Sequence, residues 1–257
     1  MYDGSDNPSV GVDREGAMTI KDRSVLVTGA NRGIGQALVA EALRRGAKRV
    51  YAGTRQPLTH VEERVTPLVL DVTKPADIQL ASQSVASLDV LINNAGVSVF
   101  DDFRDPAAIE RHLAVNLFGT FGVTQAFLPL LTRSRGAIVN VISLAAFAAV
   151  PVLPAYSISK AAAFSMSQSL RALLAGRGVK VHVVLPGPVD TDMVRDLDIP
   201  KTAPDAVARA IFDGMERGEE EIFPDPMSAT FAESWRTGAA KAFERQNAAM
   251  VAEPPAS

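Results

Sequence analysis

Short runs of β-branched and aliphatic residues alternate along this chain with longer segments of helical periodicity, and this alternation constrains the fold more than any other feature. Strands are predicted at 24–28, 49–53, 66–71, 90–93, 137–142, 180–185 and, weakly, 221–223. The clearest helices are predicted at 34–45, 107–131 and 155–175. Apolar strands separated by helices indicate a parallel sheet covered on both faces. The sequence therefore predicts one α/β domain, a doubly wound Rossmann-type parallel sheet with helices on both faces.

The first predicted strand runs directly into a glycine-rich turn, TGANRGIG at residues 28–35, and a helix follows at once. We expect Gly29 to allow the tight turn, Gly33 to let the backbone approach a pyrophosphate, and Gly35 to allow close helix packing. The free amides and the positive dipole of a helix N-terminus also favour an anion. This order of strand, turn and helix predicts a dinucleotide site, and an ordinary glycine-rich turn is the alternative.

Composition excludes several classes of function. The chain has 257 residues, a net charge of -3 and no cysteine. Without a basic stripe, a nucleic-acid partner is not expected. Without cysteine there are no disulfides, thiolate metal sites or thiol nucleophiles, which suits the cytoplasm. His60, His112 and His182 are too scattered for a metal site, so no metal is expected. No stretch of about 18 residues is apolar throughout, so no membrane partner is expected.

The two ends of the chain differ in character from its centre. The opening segment is polar and acidic, contains glycine and proline, and lacks the apolar stretch of a signal peptide. We predict a flexible extension at 1–19, a dinucleotide-binding domain at 20–225, and a C-terminal helical extension and tail at 226–257. No internal repeat or linker divides the chain further.

A tyrosine and a lysine stand four residues apart at the start of an alanine-rich segment, PAYSISKAAAF. Residues i and i+4 are neighbours on a helix, so Tyr156 and Lys160 project together. A phenol has an ordinary pKa of about 10, and a nearby positive charge favours the phenolate. We therefore predict Tyr156 as proton donor and Lys160 as that charge, whereas either residue alone could simply border an amphipathic helix.

The chain resembles the short-chain dehydrogenase/reductase family in its compact form, with TGxxxGxG and YxxxK, over about residues 20–225. Besides the glycine-rich turn, six motifs stand in the family's order, namely LDVT, NNAG, VNLFG, NVISLAA, YSISK (the YxxxK match) and PGPVDT. Ser143 precedes Tyr156 by thirteen residues, which is the family's usual interval. The resemblance implies an oxidoreductase that acts on CH–OH or C=O groups with a nicotinamide cofactor.

The resemblance also implies roles for individual residues in catalysis. Reduction of a ketone needs a hydride at carbon and a proton at oxygen, and Tyr156 would be the general acid and base that moves this proton. Lys160 would also reach the nicotinamide ribose hydroxyls. Ser143 would donate a hydrogen bond to the carbonyl oxygen as charge develops there. Asn116 would maintain a water chain toward Lys160. Singly, Ser143 could be a strand-end hydrogen-bonding group and Asn116 a buried polar group of a helix.

Further residues are placed around the cofactor by the same resemblance. Asp71 would hold the adenine amino group, NNAG would lie beside the cofactor, and PGPVDT would lie beneath the nicotinamide. Thr191 would bind the carboxamide, although Asp190 and Thr191 could instead cap a following helix. The predicted cofactor-binding residues are Gly29, Asn31, Arg32, Gly33, Ile34, Gly35, Arg55, Asp71, Val72, Asn94, Ala95, Gly96, Tyr156, Lys160, Pro186, Gly187, Val189 and Thr191.

The choice between NAD and NADP depends on the end of the second predicted strand, which reads VYAGTRQP. An acidic residue there favours NAD, whereas an arginine can pair with the 2'-phosphate of NADP. Neither Gly53 nor Thr54 is acidic, Arg55 follows, and Arg32 is expected to face the same corner. NADP(H) is therefore the predicted cofactor. Either arginine could instead be a solvated surface residue.

The substrate site is predicted to be mainly apolar, which favours a hydrophobic ketone or secondary alcohol and a carbonyl reductase. Its predicted lining residues are Phe100, Leu144, Phe147, Val152, Leu153 and Met193. One alternative is a 3-oxoacyl-[acyl-carrier-protein] reductase, which needs a basic docking patch near the site. Arg133, Arg135, Arg171 and Arg177 are the candidates for that patch. The other alternative is a dinucleotide-binding redox sensor without turnover.

Apolar residues occur on several sides of the helix predicted at 107–131, including Phe118, Phe121 and Phe127. The sheet can cover only one side of such a helix. We therefore expect a second subunit on the other side, in a homodimer or a homotetramer. Trp235 and Phe243 are expected to extend that contact or to close over the pocket.

Overall fold

A sheet of seven parallel strands forms the centre of the computed structural model, which describes residues 18–252. The strands are β1 (Ser24–Thr28), β2 (Arg49–Thr54), β3 (Val65–Val69), β4 (Val90–Asn93), β5 (Ala137–Val141), β6 (Lys180–Val184) and β7 (Glu221–Ile222). They lie in the order β3-β2-β1-β4-β5-β6-β7. The order of the strands therefore reverses between β1 and β4, where doubly wound folds open a ligand crevice. The predicted fold class is confirmed.

Helices cover both faces of this sheet. They are α1 (Gly33–Arg44), α2 (Pro75–Ser84), α3 (Pro106–Leu113), α4 (Thr120–Ser134), α5 (Pro154–Ala175), α6 (Pro204–Glu216), α7 (Pro226–Ala229), α8 (Ala232–Thr237) and α9 (Ala239–Ala252). Successive strand residues point to opposite faces. Val25 and Val27 accordingly join one core with Leu38 and Phe212 of α1 and α6, whereas Leu26 joins the core beneath α2, α4 and α5.

The helix predicted at 107–131 is interrupted by a wider turn. A π-helical segment, Ala114–Gly119, joins α3 to α4 and contains the buried Asn116. Gly119 allows this arrangement, because a β-carbon there would lie 2.7 Å from Val72 Cγ2. Such π segments often occur at functional sites, where they change the direction of a side chain. Helix periodicity alone did not reveal the interruption.

The N-terminal extension predicted at 1–19 lies outside the described residues except for its last two positions. Met18 is buried and packs in the core with Ile20, so the packed part of the chain includes residue 18. Helix α2 was not among the predicted elements. Its few buried side chains, Ile78 and Ala81, leave only a weak periodic signal in the sequence.

Charged side chains attach the C-terminal helix α9 to the rest of the domain. The side chain of Lys241 is only 2% exposed and bonds to Glu221 at 2.9 Å and to Glu244 at 3.0 Å. Arg171 of α5 pairs with the same two carboxylates. Burying these charges is tolerable only because each has a partner of opposite sign. The network therefore holds α9 against α5 and β7.

By length and mean hydropathy alone, the helical segment Pro106–Ser134 could cross a membrane. The core helix of a globular domain can meet the same two criteria. Val123 and Phe127 on one side of this segment are fully buried under the sheet. Phe118 and Phe121 are 62% and 47% exposed on the other side. Its apolar character is therefore only partly explained by the core.

We expect Lys241→Ala to lower the free energy of unfolding by about 3 kcal/mol, because it leaves two buried carboxylates with one cation fewer. Urea denaturation followed by circular dichroism measures this change. The exposed Lys48 supplies a matched control, since Lys48→Ala should change stability by less than about 0.5 kcal/mol. Equal stability of the two variants would show that the network does not hold α9.

Candidate active site

The glycine turn between β1 and α1 forms one wall of the crevice. Gly29 and Gly33 have φ angles of 67° and 53°, which favour glycine. A β-carbon at Gly35 would lie 2.0 Å from the carbonyl oxygen of Gly29, so this position has no room for a side chain. The first turn of α1 has no acidic residue and no side-chain cap. Its free amides therefore fit the diphosphate of a dinucleotide, as the sequence predicts.

Asn94 and Ala95 hold the glycine turn against the end of β4. The Asn94 side chain donates to the carbonyl oxygens of Thr28 and Gly29 at 3.0 and 3.2 Å. The backbone amides of Asn94 and Ala95 donate to Thr28 Oγ1, each at 3.0 Å. The side-chain amide nitrogen of Asn94 thus binds backbone and shapes the turn, and its predicted contact with the cofactor stays a prediction. Gly96 follows beside Lys160, where a β-carbon would lie 3.6 Å from Nζ.

Two predicted residues lie together at the adenosine end of the crevice, after β2 and β3. Asp71 accepts hydrogen bonds from the amide of Thr73 at 3.0 Å and from its hydroxyl at 2.7 Å. Burial alone would raise the pKa of Asp71. These two bonds and the nearby charges of Lys74 and Arg55 together outweigh burial, so the pKa lies below its ordinary value. Arg55 is exposed, and its charge is near enough to act on Asp71. The neighbouring Val72 is buried against Gly119.

Arg32 does not face the adenosine corner as expected. Its guanidinium bonds to Asp192 Oδ2 at 2.8 Å, on the loop after β6. The carboxylate attracts the side chain to the opposite wall of the crevice. Both partners are well exposed, at 64% and 44%, so the ion pair contributes little stability and can open. Asn31, next to Arg32, is exposed, and Ile34 is partly buried against the core.

The loop after β6 is fixed by a residue that the sequence analysis missed. Asp225 is buried, and its Oδ2 accepts a hydrogen bond from the amide of Gly187 at 2.8 Å. The same carboxylate caps α7 through Ser228. An Asp-Pro pair before a helix predicts a cap, but nothing in the sequence reveals the bond to Gly187. Pro186 also accepts from the Leu144 amide at 3.1 Å, so the loops after β5 and β6 are joined.

The remaining predicted residues of this loop face the glycine turn. Val189 is buried and forms a bridge to Thr202, which returns the chain to the fold before α6. A β-carbon at Gly33 would lie 2.9 Å from Thr191 Cγ2. The loop and the glycine turn therefore approach closely. A cavity of about 580 Å³ borders this contact and is lined by Arg32, Gly33, Thr191 and Asp192 among others.

Ser143, Tyr156 and Lys160 come together where β5 meets α5. Tyr156 is within hydrogen-bonding distance of the Ser143 hydroxyl. Ser143 Oγ accepts from the Ala145 amide at 3.1 Å, so its own proton remains available for donation. Lys160 Nζ lies 5.6 Å from the centroid of the Tyr156 ring and donates to the carbonyl of Val141 at 3.0 Å. A phenol, a hydroxyl and an ammonium group thus converge.

Burial dominates the electrostatics of this group. It raises the pKa of Tyr156 above its ordinary value, and the hydrogen bond with Ser143 only partly opposes it. It lowers the pKa of Lys160 to about 8. The lowered phenol pKa expected from the sequence is therefore absent in this structure, because desolvation outweighs the hydrogen bond with Ser143. Lys160 remains mainly protonated at neutral pH.

Asn116 is connected to the same site through backbone bonds. Its Oδ1 accepts from the amide of Val97 at 2.9 Å, and its Nδ2 donates to the carbonyl of Val97 at 3.0 Å. The Nδ2 group also donates to Ser159 Oγ at 2.9 Å, and Ser159 Oγ in turn bonds to the carbonyl of Tyr156. The structure thus brings all four predicted catalytic residues into one region.

The predicted substrate-lining residues are arranged in two groups. Phe100, Val152 and Met193 are between 46% and 57% exposed near the mouth of the site. Leu144 and Phe147 pack instead against a buried cluster, and Leu153 is partly buried. Phe147 stacks on Trp235 of α8 with ring centroids 4.5 Å apart. One face of Phe147 is therefore covered by protein and closed to a substrate. The sequence could not show this, because it does not reveal where α8 lies.

A second, mainly apolar cavity of about 340 Å³ lies beside the loop after β5. It is lined by Phe103, Ala145, Ala146, Ala149, Pro154, Ser157, Ile158 and Ala161. Its α5 residues point away from the side that carries Tyr156 and Lys160. Within the described part of the chain, no cluster of three or more His, Cys, Asp or Glu residues could hold a metal ion.

Comparison with known proteins agrees with this geometry. The chain is similar to 2-(S)-hydroxypropyl-CoM dehydrogenase 3 of Xanthobacter autotrophicus, with 36% identity over 211 residues that cover 75% of this chain and 82% of that protein. It is 37% identical over 198 residues to estradiol 17-beta-dehydrogenase 2 of Rattus norvegicus, covering 70% of this chain and 52% of that protein.

Solved structures and family membership lead to the same result. A short chain dehydrogenase from Burkholderia cenocepacia, crystallised in complex with NADP, has a TM-score of 0.82 and 36% identity, and the match covers 92% of this chain and 100% of that one. The sequence matches the short chain dehydrogenase family over residues 23–201. Because this match covers most of the chain and agrees with the geometry of the crevice and the site, the chain belongs to the short chain dehydrogenase family of oxidoreductases.

Proposed function

We propose that this protein is an NADP(H)-dependent carbonyl reductase, which interconverts a hydrophobic ketone and the corresponding secondary alcohol. One arrangement supports this function above all, the convergence of Tyr156, Ser143 and Lys160 beside the dinucleotide crevice. Exposed apolar residues near the mouth, such as Phe100 and Met193, suit an apolar substrate. A redox sensor without turnover would have no need of the three polar groups.

The nicotinamide, when bound, supplies the hydride. Tyr156 gives its proton to the carbonyl oxygen, which becomes the alcohol hydroxyl. Ser143 donates a hydrogen bond to the same oxygen while negative charge develops on it. The ammonium group of Lys160 then stabilises the phenolate that remains. In the direction of alcohol oxidation, the phenolate of Tyr156 accepts the proton.

NADP(H) is supported as the cofactor by Arg55, which is exposed at the end of β2 beside Asp71. The solved relative from Burkholderia cenocepacia is a complex with NADP. Arg32 belongs to an ion pair with Asp192 in this structure, so Arg55 is the better candidate for the 2'-phosphate. The absence of cysteine supports a cytoplasmic location.

The alternative activity on acyl-carrier-protein substrates is disfavoured by the positions of its candidate docking arginines. Arg133 lies at the end of α4 and Arg135 just before β5, whereas Arg177 lies just before β6. These residues are at the amino ends of parallel strands, about 16 Å from the carboxyl ends that carry the site. The guanidinium of Arg171 forms ion pairs with Glu221 and Glu244 and is therefore not free to bind a docking partner. None of the four forms a docking patch near Tyr156.

Phe118 and Phe121 support the proposed homodimer or homotetramer. They are exposed, and they stand three residues apart on the same side of the helical segment that runs into α4. Ile158 and Leu173 of α5 are also exposed, and α5 covers the same face of the sheet as α4. An outward surface of this kind suits a two-fold interface between identical helices. Family members are generally oligomeric, which agrees with this proposal.

The Tyr156→Phe variant should keep cofactor binding and lose turnover by about 10²- to 10⁴-fold, because it removes the proton donor. Initial rates with a panel of ketones and NADPH, together with NADPH fluorescence titration, measure both quantities. Tyr51→Phe is the matched control, since Tyr51 is buried in β2 and far from the proton-transfer group. Unchanged turnover in Tyr156→Phe would remove the proposed mechanism.

The Arg55→Ala variant should raise the dissociation constant of NADPH by about tenfold or more and leave that of NADH nearly unchanged. The expected loss is one charge-assisted contact with the 2'-phosphate. Isothermal titration of each cofactor tests this difference. Arg49→Ala, at the opposite end of the same strand, should affect neither cofactor. A parallel loss of NADPH and NADH affinity would show that Arg55 does not read the phosphate.

Replacing both Phe118 and Phe121 by glutamate should convert the oligomer to a monomer of 27.3 kDa, because the charges would be buried at the interface. Analytical ultracentrifugation at micromolar concentration detects the change. Val61→Glu serves as control, since Val61 is 99% exposed in the segment between β2 and β3, outside the surface formed by α4 and α5. A wild-type protein that is itself an active monomer would refute the proposed assembly.

A further inference from the structure

His112 is a buried residue of α3 whose two ring nitrogens are both engaged by the backbone. It is only 1% exposed. Its Nδ1 lies 2.7 Å from the carbonyl oxygen of Ala108, and its Nε2 lies 3.1 Å from the amide nitrogen of Val99. A carbonyl oxygen can only accept, and an amide N–H can only donate. The ring is therefore a neutral imidazole with its proton on Nδ1 and an acceptor at Nε2.

The bond to Val99 fixes a loop that borders both the cofactor crevice and the substrate site. This loop, residues 96–100, begins at Gly96 beside Lys160 and ends at Phe100 near the mouth. Asn116 holds it at Val97 by two hydrogen bonds. His112, four residues earlier on the same helical segment, holds it at Val99. Without His112 the second half of the loop loses its only described bond to that segment.

The same imidazole also contacts the proposed proton donor. The rings of His112 and Tyr156 meet edge to face, with centroids 6.4 Å apart and an interplanar angle of 72°. Aromatic pairs in this geometry attract each other beyond their area of contact. One buried ring thus links the wall of the substrate site to the side chain that moves the proton.

We propose that His112 is a positioning residue of this enzyme, which holds the loop 96–100 in place beside Tyr156 through the acceptor at Nε2. The kinetic effect expected of His112 rests on the proposed carbonyl reductase activity. Its structural effect, which is to keep the loop 96–100 ordered, does not depend on that activity. His112 neither donates nor accepts the reacting proton, because both of its nitrogens are occupied by backbone groups.

Three substitutions separate this role from a merely structural one. His112→Met keeps a buried side chain of similar length but removes the acceptor, whereas His112→Gln retains an oxygen that can accept from Val99. His182→Met is the matched control, since His182 is equally buried and also bonds through Nδ1 to a backbone carbonyl, but lies in β6 beside Glu219. Loss of folding stability alone would affect His112→Met and His182→Met alike.

We expect His112→Met to lower kcat/KM for the ketone by about tenfold, mainly through a higher KM, with the dissociation constant of NADPH changed by less than about twofold. His112→Gln should recover kcat/KM to within about threefold of wild type. His182→Met should retain wild-type kcat/KM per folded molecule. Equal values for His112→Met and His182→Met, or equal losses in Met and Gln at position 112, would overturn the proposal.

Hydrogen–deuterium exchange measured by mass spectrometry tests the loop without any turnover. Amides of residues 97–103 should exchange about tenfold faster in His112→Met than in wild type, and at the wild-type rate in His112→Gln and His182→Met. If the wild-type protein reduced no ketone, the proposed function would fail while this measurement still decided the role of His112. Unchanged exchange in His112→Met would overturn that role even in an active enzyme.

Discussion

Parallel strands place all their carboxyl ends at one edge of the sheet, and every part of the candidate site depends on this constraint. The glycine turn follows β1, Asn94 follows β4, Ser143 follows β5, and the loop with Gly187 follows β6. These segments are far apart in the sequence, but the register of the sheet brings them to a single crevice. Because the strands are buried on both faces, this edge is fixed by the cores above and below it.

Much of the fold could be predicted because apolar strands and glycine turns are local signals. The strands β1 and β4 have the predicted bounds, and the others differ by one or two residues at their ends. The four predicted catalytic residues also converge, since two of them share one helix and the order of the motifs indicates the rest. What escaped prediction depends on long-range contacts. The sequence could not show that Asp192 attracts Arg32, that Asp225 binds Gly187, or that Trp235 covers one face of Phe147.

The two ends of α5 differ in how their buried charges are balanced. Near its C-terminal end, Arg171 meets carboxylates from β7 and α9, so the charges are balanced within the protein. Near its N-terminal end, Lys160 is 6% exposed and bonds, within the described residues, only to the carbonyl of Val141. A buried cation without an anionic partner is unfavourable, and the pKa of Lys160 falls accordingly. A negatively charged dinucleotide in the adjoining crevice would relieve this cost, so the lysine also favours binding of the cofactor.

Two pairs of side chains with the same spacing face each other across the site. His112 and Asn116 hold the backbone of the loop after β4, while Tyr156 and Lys160 carry the proposed proton donor and the charge beside it. Contact between the pairs runs through Ser159 at one end and through the edge of the His112 ring at the other. The π-helical turn at Ala114–Gly119 lies between His112 and α4 and sets the direction of Asn116. Residues four apart share one side of a helix, so His112 and Asn116 both reach the loop 96–100. The position of the loop beside Tyr156 therefore depends on two side chains of a helical segment other than the one that carries Tyr156.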